Sequence, residues 1–137
     1  MNEYRFSDLK IGQSEAFTHV ITADEMAAFC RTTGDRNPLH IDKDFAQSHG
    51  FASNVVYGML TASLISTLGG MYLPGKYCLI QQVETKFLAP VYEGDELEVI
   101  GTVKELNESV QQAVIKVEIK RAGKKVVRGS LYVGFLE

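Results

Sequence analysis

At 137 residues the chain has the length of one domain, and a domain of this size buries roughly two thirds of the surface its unfolded form exposes. Apolar residues make up 45% and charged residues 23%, which excludes a disordered or fibrous chain. The net charge of -3, with lysines scattered along the sequence, predicts no basic face and so no nucleic-acid partner.

The N-terminus, "MNEYRFSDLK", carries charge from its third residue and has no apolar h-region, so no secretory signal is expected and the protein is assigned to the cytoplasm. A strand is predicted over about 14–20. In "ITADEMAAFCRTTG", Thr22 is the predicted N-cap and Glu25 stands at the capping-box position, with Ile21 and Met26 as a hydrophobic staple. Met26, Phe29 and Cys30 give that helix one apolar stripe, and Gly34 offers the left-handed residue that ends it. After an Asn37-Pro38 turn, a second short helix is expected between an Asp42 N-cap and Gly50. Phe51 to Gly75 contains no charged residue and no histidine. Its serines, threonines, glycines and Pro74 argue against a membrane span, so a protein-buried helix over about 56–68 is predicted. Thr61, Ser63, Ser66 and Thr67 are expected to bond backbone carbonyls within that helix.

From Tyr77 the period becomes alternating, as in "QAVIKVEIK", where Ala113, Ile115, Val117 and Ile119 point one way and Lys116, Glu118 and Lys120 the other. Strands are predicted over about 77–88, 96–105, 111–120 and 125–136. One strand, then helices, then an antiparallel meander is an α+β order, and the charge-free helix is the natural cover for the meander's apolar face. Cys30 and Cys78 lie far apart without a CxxC, which fits reduced thiols in a reducing compartment. Asp35, His40, Asp42, Asp44 and His49 have no metal-ligand spacing, so no metal is expected. No G-x-S-x-G elbow for a nucleophile occurs.

The segment Gly34-Asp35-x-Asn37-Pro38-x-His40, followed by "GFASNVVYGMLTASLISTLGGMYLPG" and "FLAPVYEGDELEV", resembles the MaoC-like (R)-specific enoyl-CoA hydratases over nearly the whole chain. The resemblance implies a single hot-dog domain over 1–137, in which an antiparallel sheet wraps a central apolar helix. It also implies a homodimer, or a higher oligomer, that binds acyl thioesters near its interface. The residues matching the family's catalytic pair are Asp35 and His40, and Gly58 matches the glycine whose amide polarises the thioester carbonyl. Many family members have histidine just before that glycine, where this chain has Tyr57.

Hydrating a 2-enoyl thioester requires a base for water, a proton for the α-carbon and a stabilised carbonyl oxygen, and this segment supplies candidates for all three. The expected function is therefore a hydro-lyase on acyl-CoA or acyl-carrier-protein thioesters, working in fatty-acid metabolism without a cofactor. A pair such as Asp35 and His40 acts if both groups reach one water within a closed apolar pocket. Taken alone, Asp35 also fits an Asx-turn, His40 a loop histidine, and Gly58 a glycine kept for close packing. Asn37 is expected to support the loop, His19 and His49 to be structural, and Ala62 and Ser63 to be candidates for lining an acyl tunnel. Two other functions are compatible with the fold: a thioesterase, disfavoured because 56–68 holds no carboxylate, and a non-catalytic acyl-thioester-binding module, disfavoured by Asp35 and His40 both being present.

Overall fold

The charge-free stretch needs apolar cover, and a curved antiparallel sheet provides it. The computed structural model describes residues 1–136. Its five strands, β1 (Ser14–Val20), β2 (Cys78–Phe87), β3 (Glu96–Asn107), β4 (Gln112–Arg121) and β5 (Lys124–Phe135), lie in the order β1-β3-β4-β5-β2 with every pair antiparallel. Between β1 and β2 the chain crosses from one edge of the sheet to the other. The crossover holds α1 (Ala23–Thr33), α2 (Pro38–Ile41), α3 (Lys43–Ser48) and α4 (Gly58–Thr67).

Leu64 and Ile65 of α4, with Leu68 just beyond it, join Leu97, Val99, Ile115, Ile119 and Leu131 of the sheet in one buried cluster. The alternation predicted for β4 is met, since Ala113, Ile115, Val117 and Ile119 are all 0% exposed. Gly101 of β3 sets the helix–sheet distance: a Cβ there would lie 2.9 Å from Leu68 Cδ2 and 3.1 Å from Ile115 Cγ2. This is the hot-dog arrangement that the resemblance implied, with α4 as the wrapped helix.

Four details differ from expectation. The central helix starts at Gly58 rather than near 56, because Tyr57 is non-helical at ψ 124° and its carbonyl is the first to accept within the helix, from the Leu60 and Thr61 amides at 3.0 and 3.1 Å. Val55 and Val56 instead donate their N–H groups to the Leu39 and Val91 carbonyls at 3.0 and 2.8 Å. After Thr67 the chain continues as a π-helical turn, Leu68–Tyr72, instead of ending. Gly69 allows this close winding, since its missing Cβ would sit 3.1 Å from Cys78 Sγ and 3.2 Å from Leu131 Cδ2. At α1, Thr22 caps the Glu25 amide at 3.2 Å, but the capping box stays half formed because the Glu25 carboxylate bonds His19 Nε2 at 2.8 Å.

The fourth difference is electrostatic. Strand pairing gathers Lys86, Lys104, Lys116, Lys125 and Arg128 around one groove, so the basic residues scattered in sequence do form a cluster in space. Glu118 sits in the same groove and pairs with Lys125 at 3.0 Å and Lys116 at 3.4 Å. Hydrogen bonding from Lys125 is the main cause holding its carboxyl below the usual carboxylate range. Both cysteines are free, and burial pushes the Cys78 thiol up to about 11, which leaves it protonated and unreactive near neutral pH. Among the described residues no helix is long and apolar enough to cross a membrane.

Attachment of the edge strand β2 depends on a glycine. Gly129 of β5 pairs with Thr85, and a Cβ at that position would run into the Glu84 carbonyl oxygen of β2. Gly129→Ala is therefore expected to cost about 1–3 kcal/mol through overpacking and to lower Tm by on the order of 5–10 °C. Gly70→Ala, where a Cβ meets nothing within 4 Å, should leave Tm unchanged or slightly raised. Thermal unfolding of the two variants, followed by circular dichroism, checks the contrast.

Candidate active site

Short polar side chains set the path from α1 to α2. Gly34, in the left-handed region at φ 75°, stops α1 by donating its N–H to the Cys30 carbonyl at 2.8 Å. Thr33 Oγ1 then accepts from the Asp35 amide at 3.2 Å, Asp35 Oδ1 from the Asn37 amide at 3.0 Å, and Asn37 Oδ1 from the Leu39 amide at 3.0 Å. Asn37-Pro38, expected as a turn, instead opens the single helical turn α2. Pro38 fits its first position because it has no N–H to satisfy and its φ is already helical. Asp42 caps α3 as expected, through the Phe45 amide at 3.0 Å.

Asp35 does make an Asx-turn, but only Oδ1 is used, which leaves Oδ2 for a ligand. His40 is half-buried, and its Nδ1 lies 2.8 Å from the Val55 carbonyl oxygen. A carbonyl can only accept, so Nδ1 carries the hydrogen and neutral His40 presents its lone pair on Nε2. The His40 backbone is held as well, its carbonyl accepting from Asn54 Nδ2 at 3.0 Å.

Tyr57 connects the two residues. Its hydroxyl donates to the Asp35 carbonyl at 2.7 Å, and its ring stacks on the His40 imidazole at 4.3 Å and packs against Phe29 at 4.6 Å between centroids. Nothing in the sequence marks this role beyond an aromatic residue placed just before the first glycine of a charge-free helix. Gly58 follows as the first residue of α4, so its N–H has no intrahelical acceptor. The N-cap residue Tyr57 makes no side-chain cap and the first turn has no acid, which leaves the positive end of the helix open. Gly58 is also tightly packed, since a Cβ there would lie 3.1 Å from Phe87 Cε1.

These groups converge. Asp35, His40, Tyr57 and Gly58 line one cavity of about 430 Å³ with Phe29 and Met59, and His40 and Gly58 also line an adjoining cavity of about 330 Å³ walled by Phe51, Val55, Phe87 and Val91. The wall of the second is braced by Arg121, whose Nη1 donates to the Pro90 carbonyl at 2.6 Å and to Asp95 Oδ2 at 3.0 Å. Asn37 lines neither cavity, its side chain being used in capping α2. Asp35 itself is exposed, so one chain does not form the closed pocket expected around it.

Thr61 departs from expectation. It is 1% exposed and lines the second cavity, but its Oγ1 has no hydrogen-bond partner, whereas Ser63 does bond within the helix, to the Leu60 carbonyl at 2.6 Å. Ala62 and Ser63, the expected tunnel lining, border neither cavity. His19 pairs with Glu25, and His49 packs on Phe45 with ring centroids 4.3 Å apart, both away from the site. Among the described residues no group of three or more His, Cys, Asp or Glu is placed to hold a metal ion.

The MaoC like domain model matches residues 9–127. An (R)-specific enoyl-CoA hydratase from Rhodospirillum rubrum is 33% identical over 93% of this chain and 89% of that relative. A second protein of that name, from Aeromonas caviae, is 37% identical over 84% of this chain and 86% of its own length. Among solved structures, the (R)-hydratase from A. caviae involved in PHA biosynthesis superimposes with a TM-score of 0.88 at 36% identity, covering 93% of this chain and 98% of that one. With its sheet-wrapped helix and a family match running from before β1 into β5, the chain belongs to the MaoC-like domain family.

Proposed function

We propose that the protein reversibly hydrates trans-2-enoyl thioesters to (R)-3-hydroxyacyl thioesters, as a hydro-lyase on acyl-CoA or acyl-carrier-protein substrates of fatty-acid metabolism. The observation that carries this is the meeting of Asp35, His40 and Gly58 around one cavity. The names of the Rhodospirillum and Aeromonas relatives support the reaction class.

Each group has a role that its surroundings suit. The free Oδ2 of Asp35 and the lone pair on His40 Nε2 are both acceptors, so together they can hold the two hydrogens of one water and direct its oxygen at the β-carbon. As the C–O bond forms, one acceptor takes the water proton and the π electrons of the double bond move onto the thioester oxygen. The open Gly58 N–H, at the positive end of α4, stabilises that negative charge. When the enolate collapses, the α-carbon takes a proton from the pair, which returns to its starting state. Dehydration runs the same steps backward. Only side chains, one amide and water are used, so no metal or organic cofactor is required.

The working form we propose is a homodimer. The edge strand β2 exposes Leu79, Ile80, Val83 and Phe87, and Met59 beside Asp35 is 66% exposed, so an unpaired apolar edge runs up to a site that one chain leaves open. The free thiols of Cys30 and Cys78 support a cytoplasmic setting.

Loss of enoyl absorbance with a short trans-2-enoyl-CoA is the direct test. Release of free thiol instead would indicate a thioesterase, and neither signal across a chain-length panel would indicate a binding module. Asp35→Asn, which preserves the Asx-turn acceptor, and His40→Ala are each expected to lower kcat by on the order of a hundredfold. The double variant should be scarcely worse, because the pair acts on one water. Near-wild-type turnover in either single variant would sink the shared-water mechanism. Light scattering at micromolar concentration should give twice the chain mass, against a monomer if the exposed border is not an interface. Dialysis against a chelator should leave activity intact, and recovery on adding metal after a loss would contradict the cofactor-free chemistry.

A further inference from the structure

We infer that Tyr57 is a positioning residue that holds Asp35 and His40 in their working arrangement through two separable contacts, its hydroxyl on the Asp35 backbone and its ring on the His40 imidazole. This role rests on the acid–base pair proposed above. Residues 31–38 are all exposed, and the side-chain bonds that shape this stretch reach only two to four residues along the chain. Such bonds define a local shape without fixing it to the body of the protein. The Tyr57 hydroxyl supplies that attachment, since its 2.7 Å bond to the Asp35 carbonyl spans 22 residues and starts from a side chain that is 2% exposed.

The other face of the pair is already fixed by the Val55 carbonyl at His40 Nδ1. A ring stacked at 4.3 Å and 29° on that imidazole, and bonded to the Asp35 backbone, leaves little freedom in the distance between the two side chains. Burial pushes the Tyr57 phenol up to about 12, so it remains a donor through the neutral range. Because the bond goes to the backbone rather than to the carboxylate, the Tyr57 hydroxyl affects the reaction by placing Asp35.

The test is Tyr57→Phe, which keeps the ring and removes the hydroxyl. Expected results are a fall in kcat of about tenfold with KM within about twofold, since small misplacements of a reacting group affect the chemical step. In an Asp35→Asn background the same substitution should cost nothing further, because it acts through Asp35. An equal loss in both backgrounds would show a general structural role and overturn the inference. Amide hydrogen exchange gives a readout independent of activity: the Asp35 and Asn37 amides should exchange about tenfold faster or more in Tyr57→Phe, while α4 and sheet amides keep wild-type protection. Unchanged exchange at those two amides would also overturn it. If the wild type hydrates no enoyl thioester, the hydratase proposal fails by itself, and the exchange experiment still decides whether Tyr57 anchors Asp35.

Discussion

A helix without charge on any side must be covered, and that requirement organises the molecule. The sheet can bend closely around α4 only because residues that would hold it off are absent, with Gly101 facing Leu68 and Gly69 facing Leu131. The same contact decides where the helix begins. With Leu64, Ile65 and Leu68 held in the sheet's concavity, the N-terminal end of α4 lies beside Phe87, at the end of β2 and against the turn that carries Val91. Core packing and the placement of the Gly58 amide are therefore one arrangement.

The remaining site groups are brought to that end by backbone bonds between short segments. Leu39 and Val55 share a backbone hydrogen bond, His40 bonds the Val55 carbonyl through its ring, and Asn54 bonds the His40 carbonyl. Three bonds thus tie α2 to the few residues preceding α4. The imidazole and the first helical amide then belong to one small rigid unit, and the loop holding Asp35 joins it through Tyr57. Thr61, on the first turns of α4, turns its hydroxyl to the wall of the second cavity rather than to a carbonyl of its own helix.

Sequence patterning revealed features that depend on neighbours along the chain. The Thr22 cap, the Gly34 stop, the Asp42 cap and the inward positions of β4 all follow from local chemistry or from a period of two. The family motif pointed to Asp35, His40 and Gly58, which the structure brings around one cavity. What stayed hidden depends on residues distant in sequence. Glu25 could not be assigned to His19 instead of the Thr22 amide without knowing that β1 passes beside α1. The π turn is obscured because two glycines discourage a helix, whereas packing against Cys78 and Leu131 favours Gly69 there. Lys86 and Arg128 become neighbours only through the β2–β5 register. Tyr57 stands where many family members have histidine, and its bond to Asp35, 22 residues away, leaves no local mark in the sequence.

The Val55 carbonyl at His40 Nδ1 restricts how protons travel. An imidazole flanked by water or an acid at both nitrogens can act as a wire, taking a proton on one side and passing it on from the other. Here the second nitrogen faces an amide carbonyl, which is far too weak a base to accept a proton, so the ring has one working nitrogen and no rear exit. A proton captured at Nε2 leaves only through the cavity it came from, to Asp35, to solvent entering that cavity or to substrate. In the proposed hydration the hydrogen taken from water and the one delivered to the α-carbon therefore pass through the same side of the imidazole, the side that faces the cavity.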